Sequence, residues 1–77
     1  MNEVQQEVMG TTTFVPVRMW PLDETASERV DGQLRDELVR VGCDGETVEY
    51  ESWERTSIEI DGELMDGYAR LATGVKA

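Results

Sequence analysis

The chain has 77 residues, with 17 acidic and 7 basic side chains, no histidine and one cysteine, for a net charge of −10. That length sets one domain with a thin core. The single Cys43 excludes an internal disulfide, and the lack of histidine removes the usual general base, the Ser-His and Cys-His nucleophiles and the common zinc ligand sets.

The charge argues against direct binding of nucleic acid, where affinity comes from Lys and Arg on phosphates. It argues equally against anionic membranes. It favours a protein partner with a basic surface. The N-terminal MNEVQQEVMG lacks a basic n-region and an apolar h-region, so no signal peptide is expected. No apolar run approaches the roughly 18 residues of a membrane span. A cytoplasmic location, in the producing or host cell, follows as an expectation.

Residues 1–10 read as a flexible or short helical arm, and 11–77 as a single α+β domain. TTTFVPVRMW, residues 11–20, is rich in β-branched and aromatic residues and predicts a strand. Its alternation puts Val15, Val17 and Met19 on one face, with Phe14, Arg18 and Trp20 on the other. Pro16 lacks a donor and marks an edge strand or a bulge.

Residues 23–42 predict the one clear helix. Ala26, Val30, Leu34, Leu38 and Val41 recur every three or four positions and form one apolar stripe. Thr25 with Glu28 reads as a capping box, and Gly42 sits where a left-handed C-terminal cap belongs. Asp31–Arg35 and Asp36–Arg40 are spaced for i,i+4 pairs. Gly32 costs about 1 kcal/mol relative to Ala. Cys43, at the negative end of the helix dipole, reads as a small apolar residue rather than a reactive thiol.

Val48, Tyr50, Thr56, Ile58 and Ile60 all fall on even numbers, which is strand periodicity. Two arrangements fit. One is a single long bent strand. The other is a hairpin looping through Trp53, Glu54 and Arg55, with Tyr50 opposite Ile58 and Glu49 opposite Glu59. Asp61-Gly62 is a two-residue hairpin signal that starts a further strand at Glu63. Residues 64–77 read as a strand followed by a loose end. The expected fold is therefore α+β: a single helix packed on one face of a small antiparallel sheet of three or four strands, in β-α-β-β order.

The charge is unevenly spread. Residues 44–66 hold nine acids and one Arg, a net −8, whereas residues 25–43 hold four acids and three Arg. If the helix covers the even-numbered face, the open face displays carboxylates around aromatic side chains. Phe14, Trp20, Glu49, Glu51, Trp53, Glu54, Glu59 and Asp61 are the candidate partner-binding residues. Aromatic anchors within a polar rim are usual at protein interfaces.

No catalytic pair, phosphate loop or cofactor motif is present. DGELMD, residues 61–66, lacks the ligand run and terminal Glu of a calcium loop. No enzyme activity, cofactor or metal is expected. The sequence points to a small acidic interaction module that docks on a basic surface of another protein, either inhibiting or recruiting it, in the manner of an inhibitor, an immunity protein or a phage or mobile-element accessory protein. The alternative is a structural or accessory subunit whose open aromatic face is a homodimer or assembly seam.

Overall fold

The computed structural model describes residues 6–77. One helix packs on one face of a four-stranded antiparallel sheet. Strand β1 runs Val8–Pro16, helix α1 Glu24–Arg40, β2 Glu49–Tyr50, β3 Glu54–Ile60 and β4 Glu63–Val75. Short 3₁₀ turns at Val17–Met19 and Gly45–Thr47 lie between them. Of the arm expected over residues 1–10, Val8–Gly10 belong to β1, and residues 1–5 lie outside the described residues.

The loose end expected near the C-terminus is instead the centre of the sheet. β4 pairs along one side with β1, from Val8↔Val75 to Pro16↔Gly67, and along the other with β2 and β3. β1 and β2 therefore run parallel with β4 between them, and α1 is the crossover. Leu64, Tyr68 and Leu71 have helical spacing, but Gly67 among them answers a strand requirement. A methyl group there would stand 2.5 Å from Phe14 Cζ and collide with the Val15 carbonyl oxygen.

The core lies between α1 and the sheet. Leu34, Leu38, Cys43 and Ala72 are buried together, flanked by Met9, Val30, Val48 and Tyr50. Val41, expected in the apolar stripe, is 51% exposed, since it follows the last helical turn. The N-cap is Asp23 rather than Thr25: its Oδ1 accepts from the Ala26 N–H at 2.7 Å. Gly42, at φ 103°, closes the other end. Its N–H donates to Val39 O, and Cys43 N–H donates to Leu38 O, the Schellman pattern.

The proposed hairpin between Val48 and Ile60 does not form. β2 and β3 are two pieces of one edge strand, both paired with β4. Tyr50 faces Ala72 and Glu54 faces Ala69, so four steps along this edge match three along β4. One residue is extra, a bulge at residues 51–53. The hairpin loop had no glycine to turn on, whereas the bulge lets the whole edge pair with β4. A one-residue slip reverses every side chain beyond it. Val48 and Tyr50 face the helix, but Thr56, Ile58 and Ile60 face away. Glu49 and Glu59 never meet, because they lie opposite Thr73 and Leu64.

Asp61 and Gly62 turn the β3–β4 hairpin with φ of 51° and 81°. Positive φ at both central residues is the type I′ signature. β1 stops opposite Gly67, so residues 57–66 form a two-stranded acidic arm beyond it.

Two glycines predict opposite outcomes in chemical denaturation. Nothing lies within 4 Å of a methyl group at Gly32. Gly32→Ala should stabilise the fold by about 0.5–1 kcal/mol. Gly67→Ala should destabilise it by about 1–3 kcal/mol or more, through overpacking against backbone. Leu34→Ala should cost about 2–4 kcal/mol; a loss near zero would place the core elsewhere.

Candidate interaction surface

Ladder parity assigns every strand side chain to a face. Toward the helix point Met9, Thr11, Thr13 and Val15 of β1, Tyr50 of β2, and Tyr68, Arg70, Ala72 and Gly74 of β4. The opposite face is open. It carries Phe14 from β1, Thr56, Ile58 and Ile60 from β3, and Met65, Ala69, Leu71 and Val75 from β4. Glu49, Glu51, Glu54 and Glu63 lie on this same face, which bears no Lys or Arg on its strands.

Carboxylate and apolar surface converge at the bulge. A depression of about 260 Å³ opens there, lined by Thr12, Glu51, Ser52, Glu54, Ala69, Arg70 and Leu71. Its floor is small because Ala69 is small. Its rim is acidic because the bulge brings Glu51 and Glu54 to one edge. The arrangement suits a long cationic side chain: an apolar stem over Ala69 and Leu71, and a charged head at the two carboxylates.

Arg70 fixes the bulge from the helix side. Its Nη1 donates to Asp31 Oδ1 at 2.8 Å, and its Nε donates to the Glu51 carbonyl at 2.7 Å. Its guanidinium lies 5.0 Å from the Tyr50 ring centre and 5.6 Å from that of Trp53. Asp31 is thus paired with β4 and not with Arg35. Tyr50 adds a hydrogen bond from its hydroxyl to the Asp31 carbonyl.

The eight candidate residues separate. Phe14, Glu49, Glu51 and Glu54 come together on the open face. Trp20 and Trp53 do not join them. Trp20 stacks on Tyr68 at 4.0 Å on the helix side, and Trp53 meets Trp20 edge-on at 5.3 Å. The 3₁₀ turn after Pro16 ends the strand alternation that would have put Trp20 beside Phe14. Both tryptophans are half-buried and extend the core past the end of the helix. Glu59 points to the helix side of the arm, and Asp61 sits at its tip. Sequence reasoning missed Ala69, Leu71, Met65 and Ile58. The small residues at 67, 69, 72 and 74 were the available signal, since so bare a strand packs best between others.

Among the described residues no group of three or more Cys, Asp or Glu is placed to hold a metal ion, and no helix is long and apolar enough to cross a membrane. Comparison with protein families, characterised proteins and solved structures gives no match for this chain.

Arg70→Ala should cost about 1–3 kcal/mol, because it leaves the Glu51 carbonyl and Asp31 without their partner. Asp31 is 30% exposed. A double-mutant cycle with Asp31→Ala should therefore return a coupling of only about 0.5–1 kcal/mol. Urea denaturation of the four proteins measures both values.

Proposed function

We propose that this chain is a small acidic interaction module that docks its open sheet face on a basic surface of a protein partner. The observation that carries the reading is the depression at the bulge, where Glu51 and Glu54 stand over an Ala69–Leu71 floor. The net −8 of residues 44–66 steers a cationic partner to this side of the molecule. Phe14, Ile58 and Met65 supply the apolar area that electrostatic steering alone does not. A partner that uses its basic surface for phosphates would be occluded, so an inhibitory or immunity-type role, as on phage and mobile elements, is the form this function takes.

A homodimer seam on the same face is the weaker reading. Two such faces would set Glu49, Glu51, Glu54 and Glu63 against their own copies with no base among the strand residues to offset them. Like charges opposed at an interface are a repulsive element.

A short Lys- and Arg-rich peptide is the probe. In an NMR titration the largest amide shifts should fall on Glu51, Glu54, Ala69 and Leu71. They should fade as salt rises, because exposed charges are screened beyond about 8–10 Å at physiological ionic strength. Glu51→Lys with Glu54→Lys should abolish the shifts while leaving the melting temperature within a few degrees. Shifts confined to the arm tip at Asp61, or spread evenly over all carboxylates, would reduce the depression to ordinary charged surface.

A further inference from the structure

We infer that a second copy of this chain adds to the free edge of β1, joining two sheets into one through an antiparallel β1–β1 pairing centred on Thr12. The hydrogen-bond phase of the sheet identifies the groups involved. Lys76 N–H donates to Glu7 O, so in the β1–β4 ladder the odd-numbered residues of β1 bond inward to β4. On its other side β4 uses its odd-numbered residues: Leu71 O accepts from Glu51 N–H, and Val75 O accepts from Asp44 N–H. The N–H and C=O groups of Val8, Gly10, Thr12 and Phe14 therefore point outward, with the Pro16 carbonyl. Among the described residues no backbone hydrogen bond reaches them. The outer edge of this nine-residue, uncharged strand is an open template for pairing.

The occupant is argued from self-complementarity. A two-fold axis at Thr12 overlaps the whole strand. Thr12 pairs with itself, Gly10 with Phe14, and Val8 with Pro16. Each of these lies on the outward hydrogen-bonding phase, and Pro16 needs only to accept. Thr–Thr is a favourable cross-strand pair, and the bulky Phe14 meets a glycine.

Charge points the same way. This is the one edge of the sheet that a chain of net −10 can bring against itself. β1 carries no charged side chain, whereas the β3 edge carries Glu54, Arg55 and Glu59. Flanking β1 on the helix side are two depressions. One, beside Met9–Thr11, is bordered by Glu37, Arg40 and Val41. The other, beside Thr13–Pro16, is bordered by Met19, Leu22 and Arg29. The two-fold sets the first of each copy against the second of the other. Val41 and Met19, 51% and 58% exposed, approach across the axis, and Glu37 approaches Arg29.

Sedimentation equilibrium and amide exchange test the pairing on the unaltered protein. From about 10 μM to about 1 mM the mass should pass from monomer to dimer. Over that range the Gly10, Thr12 and Phe14 amides should become protected, while those of Thr11, Thr13 and Val15 stay protected throughout. Thr12→Pro removes an outward donor without touching the β4 ladder. It should raise the dimer dissociation constant by about tenfold or more. Added salt should tighten the dimer by screening net repulsion, the reverse of its effect on a basic partner, so the two readings fail separately. A chain that stays monomeric at about 1 mM overturns the inference. So does a dimer that protects Arg55, Ser57 and Glu59, or one that leaves Gly10 and Thr12 exchanging freely. Protection of β1 by an unrelated peptide while the chain alone stays monomeric overturns the second copy as occupant.

Discussion

The rest of the molecule depends on how little side chain the middle of β4 carries. Ala72 is fully buried, and Gly74 is so close to Cys43 that an added methyl group would meet its Cβ at 3.1 Å. That bareness lets α1 settle Leu34 and Leu38 directly on the sheet. Each fully buried leucine contributes about 1.5–3 kcal/mol, a large share of what so small a domain can have. On the other face Gly67 takes the ring of Phe14. A strand of large residues in this place would hold the helix off one face and β1 out of register on the other.

Within that strand one charged side chain faces the helix at mid-sheet, and it organises the edge. Arg70 is 18% exposed, bonded to Asp31 and to the Glu51 carbonyl, and placed beside two aromatic rings. A half-buried guanidinium is tolerable when its donors are matched in this way. Its grip on Glu51 holds the extra residue of the bulge in one position. The consequence runs along the chain. Before the bulge the apolar residues of the edge face the helix, and after it they face away. Carboxylates are redistributed in the opposite sense, so Glu49, Glu51 and Glu54 gather where Ala69 and Leu71 are bare, while Glu59 leaves that face. Local packing of one arginine thus determines which charges share a surface.

Helix and turns were legible because their signals are local. The 3.6-residue stripe located Leu34 and Leu38, Gly42 marked the helix end, and Asp61-Gly62 marked the hairpin. Asp23 took the cap from Thr25 because two competent caps lie two residues apart and only one can begin the helix. The bulge was not legible. An even-numbered run from Val48 to Ile60 looks the same whether the strand is straight, folded back or slipped by one residue. The partners that the slip satisfies, β4 along the whole edge and Arg70 at the Glu51 carbonyl, are distant in sequence. The acids of the surface were found from composition and spacing alone. Its apolar floor was missed, because nothing local shows that Gly67 is a point of close approach for Phe14 and that the tail is therefore a central strand. Trp20 was placed outward by strand parity, which the 3₁₀ turn after Pro16 cancels, and Trp53 by the parity of its own edge, which the bulge at residues 51–53 cancels.

The neutral edge of β1 and the acidic rim at Glu51 and Glu54 lie on opposite sides of β4, and pairing through β1 uses outward backbone groups rather than the open face. This separation has a geometric consequence for a dimer paired through β1. From one acidic rim to the other the order of strands would be β3, β4, β1, then the second copy's β1, β4 and β3. Five spacings of about 4.8 Å put the two rims about 24 Å apart across a continuous open face. Both rims face the same way, because antiparallel pairing about an axis normal to the sheet keeps the two open faces on one side. A partner with two basic patches at that separation would meet both rims at once, and the second contact would form at the high effective concentration of a linked site. Neutrality along β1 is what makes such a spacing accessible. An acidic edge there would push the copies apart, and each rim would act alone.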